Sequence, residues 1–234
     1  MSKRTQKNTS RNYWILGIVA VVAIAVVVGL VLSSRSPTET AQVDFGPDPS
    51  ISRGLTEDGL PYLGNADAPI TMRVYEDLGC HNCRDFFRDT EPSILENFVA
   101  TGLVKLEIYT LAFVNSQSLP GAEAATCALD QDKFWEYRDV LFTNQGVVAF
   151  TRTNLVTWAE ELGLNRAEFA SCFDQAVHQP EIIQKSQLAF DVGVTGTPTT
   201  EVNGVRYVGV LSYESQDQIG IRQILETALQ EVEG

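Results

Sequence analysis

The apolar positions of this chain change period along its length, and each change marks an element. Residues 14–32 are 19 consecutive uncharged, mostly apolar residues. As a helix they span roughly 28 Å, close to the hydrocarbon thickness of a bilayer, so the run predicts one transmembrane helix. Over 33–60 the apolar pattern lapses into Ser, Pro, Gly, Thr and Asp, which predicts a flexible linker. A domain is expected from 61 to 234. Its first strand covers about 69–76. Residues 84–100 then place Phe86, Phe87, Ile94, Leu95, Phe98 and Val99 near the helical period, with Pro92 predicting a kink. Residues 103–109 alternate with period two and predict a second strand.

The pattern is helical across an insertion of about 115–192. Its segments are 122–129, 134–142, 154–162, 166–173 and 181–190, with N-cap candidates at Thr153, Asn154 and Asn165. It returns to β at 197–202. Asn203-Gly204 is the strongest short hairpin signal, and 205–210 is the returning strand. A final amphipathic helix over 213–231 turns Ile219, Ile221, Ile224, Leu225 and Leu229 inward. The order β-α-β, helical insertion, β-β-α predicts an α/β fold around a mixed central sheet.

Charge orients the chain. Lys3, Arg4, Lys7 and Arg11 precede the apolar run, and all 30 Asp and Glu follow it. The positive-inside rule puts 1–13 in the cytoplasm and everything after 32 outside, a single-pass cell-membrane topology with an extracytoplasmic domain. A cleaved signal peptide is the alternative. Its apolar region is usually shorter, and no good small-x-small site follows residue 32, so an uncleaved signal anchor is preferred. A net charge of −13 for the whole chain argues against nucleic acid and anionic lipid surfaces as partners.

The chemistry concentrates in Cys80-His81-Asn82-Cys83, directly after the first strand. Cysteines three apart can pair with each other. At a helix N-terminus the first thiol also meets unpaired backbone N–H groups and the positive end of the helix dipole. Both favour thiolate, the nucleophilic form. Strand, CxxC and helix in that order therefore read as a redox site. Cys127 and Cys172 remain, and four cysteines allow three pairings. If Cys80 pairs with Cys83, the remaining pair is Cys127–Cys172, with two separate buried thiols as the alternative. Export makes a second disulfide chemically permissible. Closing that loop contributes about 4 kcal/mol in the chain-entropy account. Asp77, three residues before Cys80, is a candidate for proton transfer or for a surface or capping role. His178 reads as a surface residue, and Trp135 and Trp158 as core.

With these motifs the chain resembles the DsbA-like branch of the thioredoxin superfamily over roughly 61–233. The likeness is carried by Leu63-Gly64-Asn65-Ala66-Asp67-Ala68-Pro69, by Asp77-Leu78-Gly79-Cys80-His81-Asn82-Cys83-Arg84, by Lys133-Phe134-Trp135-Glu136-Tyr137 and by Gly193-Val194-Thr195-Gly196-Thr197-Pro198-Thr199. It implies a thioredoxin fold with a helical insertion, a cis Pro198 packed against the CxxC, and Thr197 backbone free to pair with a substrate strand. It implies a protein disulfide oxidoreductase with Cys80 and Cys83 catalytic and His81, Asn82, Thr197 and Pro198 tuning the site. No organic cofactor and no metal are expected. Protein thiols are the expected substrates, and a membrane reoxidase of the DsbB or vitamin-K-epoxide-reductase type the expected partner of a monomer. The chain departs from the family in one respect. Familiar members carry Pro at the first position between the cysteines, where this chain has His81.

Three rivals remain. One is a membrane-tethered reductase or isomerase on the same fold, although 33–60 is too short and polar to be the dimerisation domain that isomerases add. Another is a metal-binding domain using Cys80, Cys83 and a His, with copper as the candidate ion. Only His81 and His178 are present, and no second CxxC, so a four-ligand zinc site of the usual kind is hard to assemble. The last is a tethered binding module in which a Cys80–Cys83 bridge is merely structural.

Overall fold

The computed structural model describes residues 45–233. The tail 1–13, the transmembrane helix expected over 14–32 and the linker up to 44 lie outside the described residues. Among those described, no helix is long and apolar enough to cross a membrane.

One mixed sheet organises the domain. Its strands are β1 (Arg53–Leu55), β2 (Pro61–Leu63), β3 (Ile70–Asp77), β4 (Val104–Leu111), β5 (Thr199–Val202) and β6 (Val205–Val208), in spatial order β1-β2-β4-β3-β5-β6. β3 and β4 are parallel, in register from Ile70 opposite Val104 to Asp77 opposite Leu111, and the remaining neighbours are antiparallel. A parallel pair needs a crossover. Here α1 (His81–Asp89), α2 (Glu91–Ile94) and a π-helical turn (Leu95–Val99) supply it. β3 is the central strand, and its Ile70, Met72, Val74, Glu76 and Asp77 are all buried. Its C-terminal end therefore delivers Cys80 from a rigid, fully covered position.

The kink expected at Pro92 is a full break. α1 ends at Thr90, whose hydroxyl donates to the Leu211 carbonyl at 2.9 Å, and Pro92 starts α2 in its first turn, where its missing N–H costs nothing. The insertion comprises α3 (Ser118–Leu129), α4 (Phe134–Asn144), α5 (Arg152–Glu161), α6 (Arg166–Asp174) and α7 (Gln179–Asp191). Asn165 caps α6 by accepting from the Ala167 and Glu168 amides. The cap of α5 is Thr151, rather than Thr153 or Asn154, because its hydroxyl accepts from the Asn154 amide. A Cys127–Cys172 disulfide, with Cα atoms 5.9 Å apart, staples α3 to α6 within the insertion.

Two boundaries correct the sequence expectation. Residues 45–60 belong to the domain, not to the linker expected over 33–60. β1 pairs with β2, Ile51 is buried in the core, and the Gly46 amide donates to Asp139 Oδ2 at 2.7 Å. The segment is polar because β1 is an edge strand with largely exposed positions. The last helix, α8 (Ile221–Glu233), begins eight residues later than expected. Residues 213–220 fold back as a loop in which Gly220 passes close to Tyr213: a Cβ there would sit 2.7 Å from the Tyr213 carbonyl oxygen. Ile219 is consequently 45% exposed, while Ile221, Ile224 and Leu225 are buried as expected.

Candidate active site

Cys80 is the N-cap residue of α1, and the first turn of that helix carries no acidic side chain to oppose a thiolate. Its sulfur lies 3.3 Å from the Thr197 carbonyl oxygen, and the Thr197–Pro198 peptide is cis. The structure thus brings the CxxC and the Gly-Thr-Pro segment together across 117 residues of sequence. Cys80 and Cys83 are both free thiols here.

The two thiols are electrostatic opposites. The Cys80 thiol is held down at about 5, chiefly because the Cys83 thiol donates to its thiolate. The Cys83 and Asn82 backbone N–H groups add to this, and burial opposes it. The contact with the Thr197 carbonyl belongs to the protonated form, in which Cys80 donates. Burial pushes Cys83 well above the ordinary thiol range, and its role as donor to Cys80 raises it further. Cys83 also accepts from the Asp77 amide at 3.4 Å. One sulfur is therefore a thiolate near neutral pH and its partner keeps its proton.

Of the expected tuning residues, Asn82 acts on Cys80 through its backbone N–H. His81 is exposed in the first turn of α1. Asp77 is fully buried, not a surface group. Its carboxylate accepts from the Gly79 amide at 2.8 Å and from the Phe113 and Val114 amides at 2.8 and 3.0 Å. It ties the turn before Cys80 to the segment after β4. Gly79 is required in that turn, because a Cβ would lie 2.6 Å from Asn115 Oδ1 and 2.7 Å from Ser118 Oγ.

The sequence reading missed three supports. Gln145, buried just past α4, donates to the Leu78 and Cys80 carbonyls at 2.7 and 3.1 Å. Asn115 donates to the Gly79 carbonyl at 2.7 Å. Arg138, fully buried, bridges Glu76 on β3 and Glu91 on α2 through four hydrogen bonds of 2.7–2.8 Å. Burial opposes the Arg138 charge and the two carboxylates outweigh it. Burial also raises Glu76, against the pull of Arg138. Glu76 in turn adds to the upward push on Cys83. A charged residue at a core position of α4, in the run Phe134-Trp135-Glu136-Tyr137-Arg138, is a signal that sequence reasoning can use. For Gln145 and Asn115 no local signal exists.

A mixed sheet that presents a CxxC at a helix N-terminus, opposite a cis-proline turn, defines a dithiol redox domain. The chain belongs to the thioredoxin family: a family model described as thioredoxin matches residues 56–220. It is 27% identical over 184 residues to disulfide bond formation protein D of Bacillus subtilis, covering 72% of this chain and 76% of that protein. It is 27% identical over 211 residues to the probable disulfide bond formation protein D of Bacillus anthracis, covering 84% of this chain and 90% of that protein. The crystal structure of oxidised BdbD from Bacillus subtilis shares the fold, with a TM-score of 0.65 at 24% identity, covering 79% of this chain and 98% of that one.

Proposed function

We propose that this protein is a thiol–disulfide oxidoreductase that introduces disulfides into exported proteins by exchange at Cys80–Cys83. The observation that carries the reading is the asymmetry of the pair. A Cys80 thiol near 5 beside a Cys83 thiol above the ordinary range stabilises the reduced form, and a protein whose reduced form is stabilised is an oxidant.

The chemistry runs in two displacements. A substrate thiolate attacks Cys80 Sγ of the disulfide form, the Cys80–Cys83 bond breaks, and Cys83 leaves and takes up a proton. A second substrate thiolate attacks the substrate sulfur of the mixed disulfide, and Cys80 departs as thiolate. Its acidity makes it a good leaving group. The Thr197 carbonyl beside Cys80 is the natural partner for the amide of a substrate backbone laid in extended form.

Turnover requires that the reduced pair be reoxidised. A membrane reoxidase linked to quinones, of the DsbB or vitamin-K-epoxide-reductase type, fits that requirement. The basic residues before the apolar run 14–32 support a single-pass anchor with the catalytic domain outside the cell membrane.

The test is the reduction potential of the protein equilibrated in glutathione buffers, read by alkylation of Cys80. A potential more oxidising than the glutathione pool is expected. A strongly reducing value overturns the oxidase direction and makes the protein a reductase.

A further inference from the structure

The second cysteine pair has surroundings that a structural staple does not need. Cys127 and Cys172 share one neighbourhood with His178, whose ring nitrogen and the two sulfurs all lie within 4.8 Å of one another. Glu123 Oε1 is 3.8 Å from Cys127 Sγ, and Asp130 Oδ2 is 3.7 Å from Cys172 Sγ. A disulfide sulfur has no proton to donate, so these are contacts of carboxylates with sulfur and not hydrogen bonds. Asp130 Oδ2 also lies 2.8 Å from His178 Nε2. Glu123 is fully buried. Its Oε1 accepts from the His178 amide at 3.1 Å, and its Oε2 has no hydrogen-bond partner. A cavity of about 230 Å³, lined in part by Asp130, His178, Glu181 and Lys185, opens beside this group.

A buried carboxylate oxygen without a partner is costly. Two carboxylates against two sulfurs also disfavour thiolates, unless a cation is present to hold all of them. We propose that reduction of the Cys127–Cys172 disulfide creates a site for one zinc-class divalent cation, ligated by Cys127, Cys172 and His178, with Glu123, whose buried Oε2 is otherwise unpartnered, as the carboxylate that completes the set. Two thiolates, an imidazole and an oxygen donor form a ligand set zinc accepts. Asp130 is the outer carboxylate that orients the His178 ring.

The electrons balance through a dithiol. It gives two electrons and two protons to the Cys127–Cys172 bond and becomes a disulfide itself, leaving two thiols on this chain. Cation binding then releases those two thiol protons to solvent. The insertion thus exchanges one cross-link between α3 and α6 for another.

The full chain carrying Cys80→Ala and Cys83→Ala removes the first pair as a competing ligand. It is titrated with Zn²⁺ against a chromophoric chelator in two states, oxidised and reduced by a phosphine that is then removed. The reduced chain is expected to bind one Zn²⁺ at least about 100-fold more tightly than the oxidised one. His178→Ala weakens binding at least about 100-fold, and Asp130→Asn about 10-fold. Co²⁺ in place of Zn²⁺ gives thiolate charge-transfer bands that Cys172→Ala removes. Equal binding by both states, or by the His178→Ala chain, overturns the proposal. So does a reduced chain that loses its helical circular dichroism and does not regain it with Zn²⁺.

Discussion

The two cysteine pairs occupy contrasting electrostatic settings on one domain. Cys80 faces donors, a thiol and two backbone N–H groups, with no acidic side chain in the first turn of its helix. Cys127 and Cys172 face carboxylates, Glu123 and Asp130. Cys80 and Cys83 are three apart on one helix end, whereas Cys127 and Cys172 are 45 apart and join two helices. Thiolate stabilisation makes a disulfide easier to break, and thiolate destabilisation makes it harder. The surroundings, more than the sulfur chemistry, separate an exchanging pair from a holding one.

The most severe way to break the comparison is Cys80→Ser, which removes the nucleophile. Oxidation of a dithiol peptide is expected to fall to the uncatalysed background, measured by fluorescence or mass. Next is the double substitution Cys127→Ala with Cys172→Ala. It is expected to lower unfolding free energy by up to about 4 kcal/mol in a denaturant titration. It leaves the alkylation rate of Cys80 within about twofold, because exchange depends on the attacking thiol's own thiolate fraction and access. A larger change in that rate would show that the two pairs are coupled.

A third test uses pH. The Cys80 thiol moves from an ordinary 9.0 to about 5 on folding, so its ionisation stabilises the reduced fold. The contribution is complete above about pH 9 and is lost as pH falls through 5. The unfolding midpoint of the reduced protein is therefore expected to gain on that of the oxidised protein between pH 5 and 9, and iodoacetamide reactivity to titrate near pH 5. Reactivity that rises only above pH 8 would remove the contrast. The smallest effect belongs to Gln145→Ala, which leaves the Leu78 and Cys80 carbonyls without their side-chain donor. It is expected to cost about 1–3 kcal/mol and to broaden the Cys80 titration, measured by denaturation and alkylation together.

The legible parts of the molecule were those encoded locally. The buried run of β3 and the CxxC are contiguous, so period and motif locate them within a residue or two, whereas the single kinked helix expected over 84–100 is divided among α1, α2 and the π-helical turn. The Asn203-Gly204 turn likewise announces the β5–β6 hairpin. What escaped depends on distant partners. Gln145 reaches Cys80 across 65 residues, and Arg138 reaches Glu76 across 62. Residues 45–60 look like linker because an edge strand buries few side chains. Residues 213–220 look helical because amphipathic spacing does not register the close approach at Gly220. His178 read as surface because nothing in the sequence places it beside the second cysteine pair.

Asp77 has a further consequence. One carboxylate receives the amides of Gly79, Phe113 and Val114, so these three N–H groups share a single acceptor in the buried interior. Releasing one amide leaves the other two anchored, so the opening they share is withdrawal of the carboxylate, which frees all three at once. Their hydrogen-exchange protection is therefore expected to rise and fall in step. Amides more than 30 residues apart would then report the breathing of one reactive loop, and a substrate that quiets this loop is expected to slow all three.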